Sequence, residues 1–381
     1  MATAGNDSGS EGAFRRGCVE GGERARGRRL AGRHRRKAGT GVRRARGDEV
    51  AGDDSCGLRR RALAERGRVS LEKSGASAGG LSHAVRLVMR RKPVSSPPVR
   101  WRVAAVQMTF GATIAENLRK IERAVRRAAH RAADVVLFPE CAITGYGGEF
   151  APLQPAKIRA ALRTVADLAA RHRINLLVGS PVFRGGRWRN CLVVFDRAGR
   201  VVQCYAKCQL TPDDRRFFTP GNAIALFELD GVPATAIICH ERRYPELVRL
   251  AVMAGARVLF HPNAGLDSLA VSRRKRGGKD GIAVRAFENA IYYVFANSAG
   301  RQHGGRWSAG DSKIVAPDGK VLRLANHRDE VVLVGDLDLR QATGKYAKES
   351  LEHPRFLAPH WREMVRTVRR QAKRAAKLGA E

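Results

Sequence analysis

The sequence predicts an α/β protein built on a mixed sheet, and three features carry that reading. From Trp101 onward, apolar and β-branched runs of strand length alternate with stretches of helical period. Some neighbouring runs are joined by hairpin turns, as at Asp196–Gly199 and Pro317–Gly319. Helical crossovers and hairpins together require parallel and antiparallel strands in one structure. No internal repeat is visible.

The elements follow in order. Residues 102–108 read as a strand, and 113–130 as an amphipathic helix begun by Thr113, whose hydroxyl suits an N-cap. The continuous apolar run 134–138 reads as a buried strand ending at Pro139 and Glu140. A Gly-rich loop from Thr144 to Gly148, containing Tyr146, leads to a helix over about 155–172. Strands near 175–183, 190–195 and 201–205 come next, then a polar loop and strands near 224–229 and 232–238. A helix over 244–254, a strand at 257–261, a helix over 279–290 and a strand at 293–298 continue the alternation. Strands near 311–315, 320–324 and 330–336 close the sheet region, and a basic helical arm covers about 355–378.

Three segments are expected: residues 1–100, 101–345 and 346–381. The first is rich in Gly, Arg, Ala and Ser and lacks apolar periodicity, so it cannot bury enough surface to offset its ordering entropy. It reads as a disordered basic extension, and Met89 is an alternative start. Its acidic residues and glycines argue against a transit peptide. The whole chain holds 71 Lys and Arg against 36 Asp and Glu, a net charge of +35. Such charge suits nucleic acid, an anionic surface or anionic substrates. It also follows from Arg-rich codon usage, which the abundance of Arg and Ala favours over nucleic-acid binding as a main function.

The seven cysteines form no paired pattern, and Cys191, Cys204, Cys208 and Cys239 fall in or beside predicted strands. That usage indicates a reducing compartment. No apolar run approaches the roughly 18 residues of a membrane span, and the N-terminus lacks a signal-peptide core. The cytoplasm is the expected location. Cys204 and Cys208 have no second Cys/His pair to complete a metal site, and no metal is expected.

Chemistry concentrates at three strand ends. Glu140, Lys207 and Cys239 each lie just beyond the carboxyl end of an apolar run: 134–138, 201–205 and 232–238. If those strands are neighbours, the three side chains share one crevice. A thiol becomes a nucleophile when a base takes its proton, and a carboxylate raised by burial serves as that base. A tetrahedral oxyanion needs fixed positive charge or N–H donors; Lys207 supplies the first and the His240 backbone the second. The helix start after Cys239 is expected to favour thiolate over thiol. Taken singly, a strand cysteine is usually a small hydrophobe, a glutamate there a helix-start carboxylate, and a lysine a solvated strand end. Their matching contexts favour catalysis. Cys141 reads as a pocket wall, His261 as structural, and Arg273–Arg276 as a solvated loop or pocket rim.

The motifs F-P-E at 138–140, Y-A-K at 205–207 and I-C-H-E-R-R-Y-P-E at 238–246 resemble the three catalytic blocks of the nitrilase superfamily, the carbon–nitrogen hydrolases. F-T-P-G at 218–221, R-A-F-E-N at 285–289, A-N-S at 296–298 and the stretch 311–319 support the likeness, which covers about residues 101–345. The resemblance implies an α-β-β-α sandwich that dimerises into a four-layer core. It also implies a Glu140–Lys207–Cys239 triad that cleaves a small amide or carbamoyl compound through a thioester, with no metal or organic cofactor. Many amidase members carry a second glutamate in the loop after the lysine; here Asp214 stands at that place. Arg242 and Arg243 read either as a surface pair bridging Glu241 and Glu246 or as a grip on a substrate carboxylate. The second reading resembles the D-amino-acid carbamoylase branch, and Tyr146 is a further candidate for substrate contact. The resemblance thus points to a homo-oligomeric amidohydrolase acting on a small linear amide or N-carbamoyl compound, anionic ones included, and the residues after Cys239 look more like the amidase and carbamoylase branches than like true nitrilases. The runner-up is a basic binding protein on an inert scaffold of the same kind. Tight, salt-sensitive DNA or RNA binding by a chain lacking residues 1–88 would favour it.

Overall fold

Alternation between two buried faces governs the architecture. The computed structural model describes residues 98–147, 153–279 and 281–380, all within the unit Asp53–Glu381. Residues 1–97 of the expected N-terminal extension, the Met89 start and Gly148 lie outside the described residues, and the extension's expected end at residue 100 is corrected because Arg100 already pairs in β1. Strand β1 (Arg100–Gln107) leads to helix α1 (Ile114–His130), β2 (Val135–Leu137), α2 (Pro155–His172), β3 (Asn175–Arg184), β4 (Arg187–Phe195) and β5 (Val201–Ala206). A single turn, α3 (Pro212–Arg215), precedes β6 (Phe227–Leu229), β7 (Val232–Ala236), α4 (Pro245–Met253) and β8 (Val258–Asn263). Next come α5 (Leu269–Lys275), α6 (Val284–Phe287), β9 (Tyr292–Asn297), and a hairpin of β10 (Ala299–Arg301) and β11 (Trp307–Ala309). The chain continues through β12 (Lys313–Val315), β13 (Val321–Leu324), β14 (Val331–Asp338), α7 (Lys345–Glu349) and α8 (Ala358–Ala380).

Among the described residues, two six-stranded sheets run β14-β1-β2-β3-β4-β5 and β13-β12-β9-β8-β7-β6. Each has a parallel centre, β1-β2-β3 and β7-β8-β9, flanked by antiparallel strands. On β1, Trp101, Val103 and Ala105 enter the core between the sheets, while Ala104 and Val106 pack with α1 and α2. On β9, Tyr292, Val294 and Ala296 face inward, and Tyr293 and Phe295 face the layer that includes α4 and α8. The result is an α-β-β-α sandwich, as expected, because strands with two apolar faces need cover on both.

Thr113 caps α1 by accepting from the Glu116 N–H. Two expectations need correction. The helix over 279–290 shrinks to α6, because Gly281 (φ 69°) and Ala290 (φ 49°) take left-handed conformations that bound it. Residues Arg273 to Lys275 belong to α5 rather than to a loop, since Ser268 caps that helix by accepting from the Val271 N–H. No helix among the described residues is long and apolar enough to cross a membrane.

Candidate active site

The acid comes first in the chain. Beyond β2, Pro139 and Glu140 enter a tight turn in which Gly145 N–H bonds Cys141 O at 2.8 Å and Cys141 takes φ 51°. That turn presses on β3 at Gly179, where an added Cβ would lie 2.3 Å from Pro139 O and 2.5 Å from Cys141 N. Only glycine permits that approach. Gly179→Ala is therefore expected to push Glu140 out of place, costing about 1–3 kcal/mol of stability and about 100-fold in kcat/KM. Thermal unfolding and amide hydrolysis measured on the same variant check both effects; unchanged hydrolysis would show that Glu140 need not be so closely held.

The lysine is fixed from both sides of its backbone. Lys207 N–H donates to Asn190 O and Lys207 O accepts from Gly221 N–H, each at 2.8 Å. A Cβ at Gly221 would sit 2.3 Å from Ala206 O, so the segment 218–221 lies flat against the end of β5. The Lys207 ammonium is fully buried, 2.8 Å from Glu140 Oε1 and 2.7 Å from Asp214 Oδ2. Asn190 Nδ2 also donates to Glu140 Oε1, at 2.7 Å. Glu140 Oε2 has no partner among the described residues. Asp214 is held by Thr211 N–H at 3.0 Å and by the Tyr146 hydroxyl at 2.8 Å.

Electrostatics follow from burial and this pairing. Burial raises the Glu140 carboxyl above its ordinary value, helped by the Asp214 charge, and Lys207 offsets only part of that rise. Burial alone would lower the Lys207 ammonium, but Glu140, Cys239 and Asp214 overcome it and hold Lys207 well above its usual range. For Asp214 burial also opposes charge, yet Lys207 and the Thr211 and Tyr146 hydrogen bonds bring it below its ordinary value.

The thiol arrives on a strained turn. β7 ends at Ala236, two residues earlier than expected, and Cys239 (φ 51°) opens a 3₁₀ turn over Cys239–Arg243. Glu241 anchors that turn from a fully buried site. It accepts from Ile238 N–H and Cys208 N–H, each at 2.6 Å, from Gln209 N–H at 3.2 Å, and from the Tyr205 hydroxyl at 2.9 Å. One carboxylate thus ties the Cys239 turn to the strand end that carries Lys207. Cys239 is half-buried. Burial, then the Glu140 carboxylate beside it, push its thiol up to about 12. The expected thiolate is therefore corrected: α4 begins only at Pro245, too far for its dipole to act, and the resting site pairs a thiol with a carboxylate.

The neighbour expectation is also corrected. β2 and β5 are separated by β3 and β4 in one sheet, and β7 belongs to the other. The three groups still converge, because stacked sheets bring strand ends from both to one end of the sandwich.

Cys239, His240, Arg242 and Arg243 line a cavity of about 220 Å³, with Asn263, Asn297 and the Asp267–Lys275 ion pair (2.7 Å) among its other walls. Neither Arg242 nor Arg243 has a carboxylate partner among the described residues; Glu241 is occupied by the turn. Burial, then Lys207, Arg243 and Arg242, lower the His240 imidazole, which marks a positive field at the mouth. Asn263 Nδ2 donates to Asn297 Oδ1 at 2.8 Å, and Asn297 Nδ2 to Gly310 O at 2.8 Å, so that wall is braced. Glu140, Lys207, Asp214 and Tyr146 are buried and form no part of the cavity wall. Tyr146, a candidate for substrate contact, is instead engaged with Asp214 and lies over the Lys207 ammonium, 5.8 Å from ring centroid to Nζ. Cys141 is likewise no wall: its buried thiol donates to Asn190 Oδ1 at 3.6 Å.

A family model described as carbon-nitrogen hydrolase matches residues 102–345. The chain belongs to the carbon–nitrogen hydrolases. Within that family it is 28% identical over 254 residues to the 2-oxoglutaramate amidase of Bacillus subtilis, covering 64% of this chain and 93% of the relative. It is 30% identical to an (R)-stereoselective amidase of a Pseudomonas species, covering 55% and 74%. Among solved structures it resembles a double mutant of the amidase from Nesterenkonia sp. AN1 in complex with acrylamide (TM-score 0.60, 25% identity, 69% and 98% covered). These likenesses place the chain on the amidase-like side of the nitrilase superfamily.

Residue-by-residue reading missed Asn190 and the buried role of Glu241, and it read His261 as structural without showing what it holds. Asn190 had a signal: it is a fully buried amide within β4, beside the apolar run Cys191–Phe195. Glu241 looked like a partner for its arginine neighbours, and only the folded turn shows its carboxylate already filled.

Proposed function

We propose that this carbon–nitrogen hydrolase cleaves a small linear amide bearing a carboxylate, through a thioester on Cys239. The observation that carries the chemistry is the buried Lys207 ammonium held between Glu140 and Asp214, with Glu140 Oε2 unpartnered among the described residues and the Cys239 thiol close enough to Glu140 to feel its charge. Glu140 takes the thiol proton as sulfur attacks the amide carbon. The Lys207 charge and the His240 N–H stabilise the oxyanion. Glu140 returns the proton to the departing amine, and water, deprotonated by Glu140, then releases the acid and regenerates the thiol. A neighbouring structure, a mutant of the amidase from Nesterenkonia sp. AN1 with the acetamide moiety of fluoroacetamide covalently added at its active-site cysteine, supports a cysteine in this role.

The guanidiniums of Arg242 and Arg243 on the cavity wall, neither with a carboxylate partner among the described residues, support the carboxylate, since Arg pairs carboxylates bidentately. The resemblance of Arg242 and Arg243 to the carbamoylase branch keeps N-carbamoyl amino acids as the second substrate class; the amidase relatives favour the amide. Ammonia release from succinamic acid, glutaramic acid, their neutral diamides and N-carbamoyl amino acids tests the assignment. The acids are expected to be preferred, and Arg242→Ala or Arg243→Ala to raise their KM about 10- to 100-fold. Equal turnover of neutral amides, with no effect of either substitution, would remove the carboxylate from the proposal.

The pH profile carries the sign of the Glu140 shift. The carboxyl acts as acceptor only when ionised, so kcat/KM is lost as pH falls through its raised value. The acid limb is expected above the ordinary carboxylate value of 4.5. Asn190→Ala removes a hydrogen bond that favours the ionised form and is expected to move the limb higher still. A limb at or below the ordinary value would disqualify Glu140 as the base.

A further inference from the structure

We propose that His261 and Tyr293 form a positioning pair that aims the oxyanion-binding peptide of the nucleophile turn. The proposal rests on Cys239 being the nucleophile and the His240 N–H an oxyanion donor. Both side chains are fully buried, on β8 and β9, beside the turn that carries the thiol. His261 Nε2 lies 3.1 Å from Cys239 O, and His261 Nδ1 hydrogen-bonds the Tyr293 hydroxyl. The two rings stack, 5.8 Å between centroids at 22°.

The direction of each bond is determined. A carbonyl oxygen only accepts, so Nε2 carries a proton. Burial, reinforced by the Arg242 charge, keeps the imidazole well below its ordinary pKa and hence neutral. Nδ1 is then a bare acceptor, and the Tyr293 hydroxyl donates to it. The chain of donors runs from tyrosine to imidazole to the Cys239 carbonyl.

That carbonyl belongs to the same planar trans peptide as the His240 N–H, so the two point in opposite directions. Pinning the oxygen onto His261 turns the N–H away from it, to the side of the cavity that His240 lines. The His240 N–H has no hydrogen-bond partner among the described residues. A tie of this kind is needed because Cys239 sits at φ 51°, a left-handed conformation that L-residues resist. His261 touches no reacting atom; it acts through the peptide plane, and Tyr293 acts by fixing its tautomer.

The test separates oxyanion stabilisation from thiol placement. Steady-state hydrolysis of succinamic acid is compared with alkylation of Cys239 by iodoacetamide, a displacement that forms no oxyanion. His261→Leu is expected to lower kcat about 100-fold, with KM and the alkylation rate within about twofold. Tyr293→Phe, which changes little in shape, should lower kcat about 10-fold. His261→Gln, whose side-chain amide can still donate to Cys239 O, should recover most of the loss. ¹⁵N NMR of the intact protein should show His261 as the neutral Nε2–H tautomer, and Tyr293→Phe should relax that preference. Full activity in His261→Leu, or equal loss of hydrolysis and alkylation, would overturn the positioning role. If instead the wild-type protein hydrolyses no amide, or Cys239→Ala retains activity, the parent reading fails and the tautomer measurement still stands by itself.

Discussion

Cys239→Ala is expected to abolish amide hydrolysis, with kcat falling by at least about 10⁴-fold. Of Glu140, Lys207, Asp214 and Cys239, Cys239 lines the cavity, and its thiol is close enough to Glu140 to feel that carboxylate. Without it no covalent acyl group forms, and the remaining charges can only polarise a substrate. The fold should persist, because the turn is tied by Glu241 and His261 rather than by sulfur. Mass spectrometry with succinamic acid gives a second readout. Cys239→Ser or the native thiol, quenched during turnover, should carry an added acyl mass that Cys239→Ala lacks. Hydrolysis that survives in Cys239→Ala at near wild-type rate would place the chemistry elsewhere.

Lys207→Met is expected to damage both stability and catalysis. The ammonium separates two buried carboxylates at 2.8 and 2.7 Å. Removing it leaves Glu140 and Asp214 buried without a counter-charge, which costs about 3–5 kcal/mol when a buried pair loses one partner. For a domain of this size that is a fall in Tm of roughly 10 °C. Part of the loss is recoverable by protonation, because like charges in one site push one carboxyl upward. The stability deficit should therefore shrink as pH falls, and activity should drop about 100- to 1000-fold with the missing oxyanion charge. A variant that melts like the wild type at neutral pH would mean the carboxylates are not both ionised in the native site.

Much of this was legible from residues alone. The strand alternation on β1 and β9 shows in the sequence because a period of two needs no partner to be read. Glu140, Lys207 and Cys239 stood out through their positions after apolar runs and through family-like blocks. The role of Gly179 was not legible, since a glycine in a strand says nothing of the turn that will press on it. Nor was the resting thiol: the sequence suggests a helix start after Cys239, whereas burial and a facing carboxylate act on the sulfur more strongly than a distant dipole.

The sequence by itself determined most of the strands and the longer helices, the α/β class, and the chemical types available at three strand ends, because these depend on local periodicity and local turn chemistry; it did not show α5 or the β10–β11 hairpin. Tertiary structure alone decided that β2 and β5 on one sheet and β7 on the other bring their ends together. It also decided which carboxylate oxygen and which arginines lack partners among the described residues, and which buried histidine meets the Cys239 carbonyl. Those outcomes depend on distances between segments remote in sequence and on how much water each group loses, and neither quantity is written in the order of residues.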